Sequence, residues 1–402
     1  MKYLISLLYI IVIMCSGSLW AHTDSTQQVL DNNEKLYPEL TISLITCGPG
    51  DELYASFGHT GLRIINHDLN TDEVYNYGMF NYSDPNFYTK FTLGKLDYYV
   101  AKYAFKDFIA EYIDDDRFVK EQILELAPSQ KNAIYKYVEH NILPANRTYK
   151  YDFVFDNCAT RVRDIFSESL GMNFIFNDVI GNQSISYRTI INTYLSQRHW
   201  ERFGINLLLG NQIDSNMTND GSMFLPDFLH GAISFAKFEG TSVVAKENLL
   251  ATGKPLEENP VNGPLLITFS LMIAVIVVKF TKPLKGLQAV FFRLILLISG
   301  ILGVIILFMW LGTNHQSCAN NFNILWAFPA NIIIAFISYK SKVWSKLYAL
   351  IGMSLIIVTV LVHIIGLQNL PFLEILPLLV ALMLIYIDMY QLVPASQKKV
   401  VA

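Results

Sequence analysis

From Pro264 to about residue 392 the chain is almost continuously apolar, and this stretch constrains the fold more than any other feature. A helix crossing a bilayer needs about 20 apolar residues. Five segments meet or approach that length: 264–280, 287–312, 324–339, 347–366 and 372–392. The third is short and Pro329 interrupts it, which predicts a kink or an extension back to Phe322. The 402 residues are 52% hydrophobic overall, which suits one soluble part joined to one membrane part.

Basic residues orient the spans. Lys279, Lys282 and Lys285 lie between the first and second, Lys340, Lys342 and Lys346 between the third and fourth, and Lys398 and Lys399 after the fifth. The segments 313–323 and 366–371 carry no Lys or Arg. The basic loops are therefore expected in the cytoplasm. The N-terminus agrees. Lys2, the apolar run Leu4–Met14 and the region Ser16-Gly17-Ser18-Leu19-Trp20-Ala21 form a secretory signal with cleavage expected near Ala21. Met14 is too large for a good lipobox before Cys15. Residues 22–263 are then extracytoplasmic.

Within that half, Leu40–Thr46 is β-rich and leads into the turn Cys47-Gly48-Pro49-Gly50. A short helix is expected over Glu52–Phe57, and strands over His59–Asn66 and Val74–Tyr77. Helical periodicity covers Asp107–Asp116 and Ser129–Asn141, with Ser129 as the expected N-cap of the latter. Tyr149–Phe155 is aromatic and extended. Cys158–Leu170 reads as a helix with an apolar face of Val162, Ile165, Phe166 and Leu170, closed by Gly171.

Two short motifs carry chemistry, Ser56-Phe57-Gly58-His59-Thr60 and Asp156-Asn157-Cys158-Ala159-Thr160-Arg161. A cysteine opening a helix meets unpaired N–H groups that favour a thiolate, with Asp156 or Asn157 as the cap. An amide N–H near Cys158 can donate to an oxyanion, and His59 can carry the proton. A strand bearing histidine beside a helix starting with cysteine is the papain-like arrangement, here with histidine first, the circularly permuted order. The expected fold class is an α+β papain-like extracytoplasmic domain followed by an all-α five-helix transmembrane domain. Other readings stand beside this one: a Cys47–Cys158 disulfide, a merely buried Cys158, and a core His59 bonded to a carbonyl. Arg63, Arg161 and Arg163 either hold a phosphate or pair with acids such as Asp156 and Asp164. Asn76, Tyr77 and the amides around His315 are candidates to orient His59. The segment 314–323, rich in amides, is either a polar turn or a polar wall of the site. A net charge of −4 gives no basic surface for nucleic acid, and the four cysteines show no zinc spacing, so neither metal nor other cofactor is called for.

Ser56-Phe57-Gly58-His59-Thr60-Gly61-Leu62-Arg63, Tyr75-Asn76-Tyr77-Gly78-Met79-Phe80, Asn146-Arg147-Thr148-Tyr149-Lys150-Tyr151-Asp152-Phe153 and the Cys158 motif, in this order, resemble the Lnb N-terminal periplasmic domain family over roughly residues 40–205. The resemblance implies a permuted NlpC-like thiol fold and N-acylation of bacterial lipoproteins, with a phospholipid acyl donor and a diacylated lipoprotein acceptor at the inner membrane. It implies catalytic roles for Cys158 and His59, and His315 looks similar to a histidine of the family's membrane half; Asn157, Tyr77, Arg63 and Arg161 are supporting candidates from their own chemistry. The corresponding organisation is a signal peptide 1–21, a polar leader 22–39, a periplasmic Cys/His domain 40–240, a linker 241–263, five transmembrane helices 264–392 and a cytoplasmic tail 393–402. Rival readings are a cell-wall amidase or peptidase of the same fold, a phospholipase, and a non-catalytic membrane-anchored binding module with a structural cysteine.

Overall fold

Alternating apolar residues in Leu40–Cys47 (β1) point Leu40, Ile42 and Leu44 to one side and Ile45 and Cys47 to the other, and all five are buried. A strand buried on both faces belongs at the centre of a sheet. In the computed structural model, which describes residues 36–255, 258–337 and 342–391, β1 pairs on one edge with His59–Asn66 (β2) and on the other with Val119–Leu124 (β5). The sheet extends through Thr71–Phe80 (β3), Asp97–Ala104 (β4) and Thr148–Lys150 (β6) on the β2 side, and through Val244–Ala251 (β10) beyond β5. All its pairings are antiparallel, in the order β10-β5-β1-β2-β3-β4-β6. Phe174–Ile175 (β7), Lys237–Phe238 (β8) and Thr241–Ser242 (β9) form a small separate sheet. The signal segment, the leader up to residue 35, Lys340 and the tail 393–402 lie outside the described residues.

One face of the large sheet, with Ile42, Leu44, Leu62, Ile64 and Tyr75, is covered by the helices Pro128–Asn141, Cys158–Leu170 and Pro226–Ser234. The other face packs Ile45, Cys47 and Val74 against Phe108 and Tyr112 of the helix Phe105–Asp114. Each such aliphatic side chain contributes about 1.5–3 kcal/mol on burial, which fixes the register that brings Cys47 opposite His59. Two sequence readings change here. The stretch 241–263 is not all linker, because β10 closes the sheet along β5. Ser129 is not the cap of its helix: Pro128 occupies the first turn, and Gln130 accepts the Ala127 N–H at 2.8 Å.

In the membrane half, Gly263–Phe280, Lys282–Leu311, Trp344–Ile364 and Phe372–Gln391 are long and apolar enough to cross a bilayer. The expected third span is different. It holds a single 3-10 turn, Phe322–Leu325, and a six-residue helix, Asn331–Phe336, separated at Pro329. Proline removes a backbone donor and clashes with the preceding turn, so the segment breaks there. Asn331 compensates inside the bundle. Its Nδ2 donates to Ser299 Oγ at 3.0 Å, and its Oδ1 accepts from the hydroxyls of Tyr348 and Tyr386.

From Tyr37 onward the chain forms one compact unit. The soluble part sits on the bundle through the helix His199–Leu208, whose Phe203, Leu207 and Leu208 join the membrane core. A seam of buried amides locks the contact. Asn321 and Asn323 donate to Leu207 O and Asn206 O, and Gln368 donates to Leu209 O and accepts from Phe322 N–H. A Cβ at Gly210 would lie 1.7 Å from Ala319 O, so only glycine permits this approach. Arg202 pairs with buried Glu374 at 3.0 Å beside it.

Candidate active site

Asn157 builds the nucleophile's position. Its Oδ1 accepts the N–H groups of Ala159 and Thr160 at 2.9 and 3.0 Å, and Thr160 Oγ1 accepts the Asn157 N–H at 2.8 Å. This capping box starts the helix at Cys158, and such a cap contributes about 1 kcal/mol. Asn157 Nδ2 also donates to Phe153 O and Phe224 O, which pins the loop to the core. Ala159, Val162, Ile165 and Phe166 are fully buried against the sheet and hold the helix on β2 and β3. Asn157 thus positions Cys158 through the backbone, and Asp156 turns outward to pair with Arg161.

His59 opens β2 beside the helix start. Its Nε2–H donates to Asn76 Oδ1 at 2.6 Å, which leaves Nδ1 for the Cys158 thiol. Its ring stacks at 6.3 Å on Tyr112. Asn76 is 5% exposed and lies one residue past the last β2–β3 pair, Leu62 with Tyr75. The β3–β4 register shifts between Asn76 and Met79, where Gly78 takes φ +93°. A Cβ there would stand 3.8 Å from Cys158 Cβ, so the bulge passes close to the nucleophile without crowding it.

The electrostatics favour an ion pair. Burial pushes the Cys158 thiol up, but the His59 charge and hydrogen bond, with the N–H groups of Thr60 and Ala159, outweigh it and hold the thiol below its ordinary value. Burial pushes His59 down, while the Cys158 charge and the bonds to Cys158 and Asn76 outweigh that and hold it above its ordinary value. As the first helical residue, Cys158 has a backbone N–H without an intrahelical acceptor, which an oxyanion can take. A buried thiolate, an imidazolium oriented by an amide and a free N–H can together perform acyl transfer through a thioester.

The remaining expected site residues lie elsewhere. Tyr77 alternates to the opposite face of β3 and accepts from Asn141 Nδ2 at 3.1 Å, with burial raising its hydroxyl to about 12. Arg63 is clamped by Asp72 at 2.7 Å and Glu121 at 2.8 Å, a cross-strand structural role. Arg161 pairs with Asp156 and stacks 4.1 Å over Tyr149. His315 does not reach His59 or Cys158. Its Nε2–H donates to Phe91 O at 3.1 Å, so it docks the soluble part on the membrane loop, and Asn321 and Asn323 of the same segment serve the seam. Cys47 and Cys158 are both free thiols, so no disulfide joins them. Asn76 could be singled out in sequence only as an amide between two strand tyrosines, Tyr75 and Tyr77, ahead of a glycine. The seam pair Arg202–Glu374 left no local signal.

Residues 31–192 match the family described as the Lnb N-terminal periplasmic domain, and residues 257–397 match the Lnb transmembrane domain. No curated protein and no solved structure matches the chain.

Proposed function

The chain belongs to the Lnb-type family, whose domains mark a lipoprotein-modifying membrane protein, and we propose that it is a thiol-dependent lipoprotein N-acyltransferase. The observation that carries this reading is the Cys158–His59–Asn76 set on a domain locked to an apolar bundle. The Cys158 thiolate attacks the ester carbonyl of a membrane phospholipid. The C–O bond breaks, the lysophospholipid oxygen takes the proton from the His59 imidazolium, and the acyl group remains as a thioester. The α-amine of a diacylglyceryl-cysteine then attacks the thioester. His59 Nδ1 takes the amine proton, the C–S bond breaks and the thiolate–imidazolium pair returns. The seam that locks the soluble part to the apolar bundle supports a site near the bilayer surface, where competing water is restricted.

The Cys-helix packed on a His-bearing strand supports a permuted papain-like fold for residues 40–240. Crossing parity supports five membrane passages. Segments 313–323 and 366–371 both contact the soluble part, so the chain between them crosses an even number of times. Trp344–Ile364 makes one crossing, which leaves the broken third segment to make the other. The lysines assigned to the opposite loops support a periplasmic catalytic domain on the inner membrane. The test is mass spectrometry of a lipoprotein N-terminal peptide from cells lacking other N-acyltransferases. Wild type should add one acyl mass at the lipidated cysteine, and Cys158→Ala and His59→Ala should not. A free amine in all three, with normal expression, overturns the reading and favours a wall hydrolase or a binding module.

A further inference from the structure

The hairpin joining β3 to β4 is unusual for a soluble surface. It runs directly on from Asn76 and Gly78 and ends in the helix Phe87–Thr92. Tyr88 is 81% and Phe91 51% exposed at its tip. Exposed aromatic clusters of this kind suit an interface that is apolar on one side and wet on the other. The tip is tied to the outer end of the second membrane helix, which stops at Leu311. Asn314 N–H donates to Leu93 O at 2.9 Å, and His315 donates to Phe91 O. The loop therefore sits at the level where aromatic side chains collect on membrane proteins. Its charge is internally balanced, since Lys90 pairs with Asp84 at 2.6 Å.

From this tip the rings run inward in unbroken contact. Phe87 touches Tyr88 at 5.3 Å and Phe91 at 6.2 Å. Phe80 touches Phe87 at 5.6 Å and Tyr98 at 5.3 Å, and Tyr98 stacks on Tyr151 at 4.5 Å. Tyr151 packs against the buried cluster that contains Cys158. We propose that the 80–93 hairpin inserts its aromatic tip into the outer leaflet and that its ring track receives a lipid acyl chain and leads it to Cys158. Insertion follows from the hairpin's continuity with the membrane surface; the acyl path rests on the transferase reading.

Both parts are tested on the full chain in phosphatidylethanolamine–phosphatidylglycerol vesicles. For insertion, a bimane label is placed at Tyr88→Cys or Phe91→Cys in a Cys158→Ser background, where Cys47 and Cys318 are buried. The control is Met172→Cys, 96% exposed at the far end of the Cys158 helix and ~20 Å from its start. Labels at 88 and 91 should be quenched by lipids brominated in the acyl chain and shielded from aqueous iodide, and the label at 172 should show the reverse. Quenching by bromolipid at 88 and 91 no stronger than at 172 overturns insertion. Iodide protection that appears only on adding a lipoprotein does so too, and marks the hairpin as a protein-docking surface. For the path, Tyr88→Glu/Phe91→Glu should lower thioester formation on Cys158 from vesicle phospholipid about tenfold or more, by loss of apolar burial, with iodoacetamide alkylation unchanged. An equal fall in alkylation overturns the path, since the substitutions would then disturb the thiol itself. Bromolipid quenching with no thioester in the wild type leaves insertion standing and overturns the path together with the transferase reading.

Discussion

Replacing Asn76 by alanine isolates what the amide does for the thiol. Asn76 Oδ1 accepts from His59 Nε2 at 2.6 Å inside the protein, and this bond fixes which imidazole nitrogen faces Cys158. A hydrogen bond to an ionised donor is roughly twice as strong as a neutral one, and bonds to charged groups contribute about 1.5–3 kcal/mol. The difference between imidazolium and neutral imidazole is then about 1.4 kcal/mol, one pKa unit. The sign follows from the two shifts. Cys158 is held below 9.0, so its thiolate persists above that lowered value; His59 is held above 6.5, so its charge persists below that raised value. Both shifts favour the thiolate–imidazolium pair over the neutral pair. Asn76→Ala lowers the His59 value, raises the Cys158 value and weakens that pair from both sides. Iodoacetamide alkylation of Cys158 near pH 7, followed by peptide mass spectrometry, should slow about tenfold. His59→Ala should slow it roughly 10- to 100-fold, because burial then acts on the thiol without its counter-charge. Asn76→Ala alkylating within about twofold of wild type, while His59→Ala slows as expected, would refute the orienting role of Asn76.

Three further outcomes follow from neighbouring contacts. Iodoacetamide at neutral pH should label Cys158 ahead of Cys47 and Cys318, since burial pushes both of those thiols up, Cys318 to about 12; equal labelling in the folded protein would contradict the site's electrostatics. Arg188→Ala should cost about 3–5 kcal/mol, because Asp214, buried at its side, loses the guanidinium that also holds Asn206 and Gly210 O. Thermal unfolding in detergent reads that loss, and an unchanged midpoint would sink it. His315→Ala should leave Cys158 alkylation unchanged and lower stability by only about 0.5–1.5 kcal/mol, whereas slowed alkylation would return His315 to the active site.

What was legible in the sequence was local. The helix Cys158–Leu170 could be bounded to the residue because Asn157 caps it and Gly171 ends it, and both signals sit within a few residues of the element they control. The four long spans follow from apolar length alone. The choices left open involve partners distant in sequence. Asn76 stood with Tyr77 and the His315 amides as a candidate to orient His59, and only the antiparallel register that sets it against His59 decides among them. The β10 stretch reads as linker because Lys246, Glu247 and Asn248 are polar, yet an edge strand is exposed on one side and tolerates them. The segment around His315 stayed open between a polar turn and a polar wall of the site, because polar groups must find partners and the sequence does not say which.

In the proposed transferase the seam and the aromatic hairpin answer two different demands on a thiol that must meet a lipid. Asn206, Asn321, Asn323 and Gln368 are almost completely buried, and each has its hydrogen-bond partner across the contact. A partly satisfied network of this kind would be worse than an apolar contact, so the seam accepts one geometry and rejects slipped ones. That rigidity fixes the height of the soluble sheet above the bundle. The hairpin leaves the same sheet through β3, the strand that carries Asn76 and passes Gly78 over Cys158. The proposed membrane-level anchor and the groups beside the nucleophile are therefore carried by the same end of β3, where Asn76 and Gly78 precede Phe80 by only a few residues, and this short stretch sets their separation. Loosening the seam, for instance with Gly210→Ala, should then impair use of a bilayer substrate more than reaction with a small soluble alkylating agent, because only the former depends on that height.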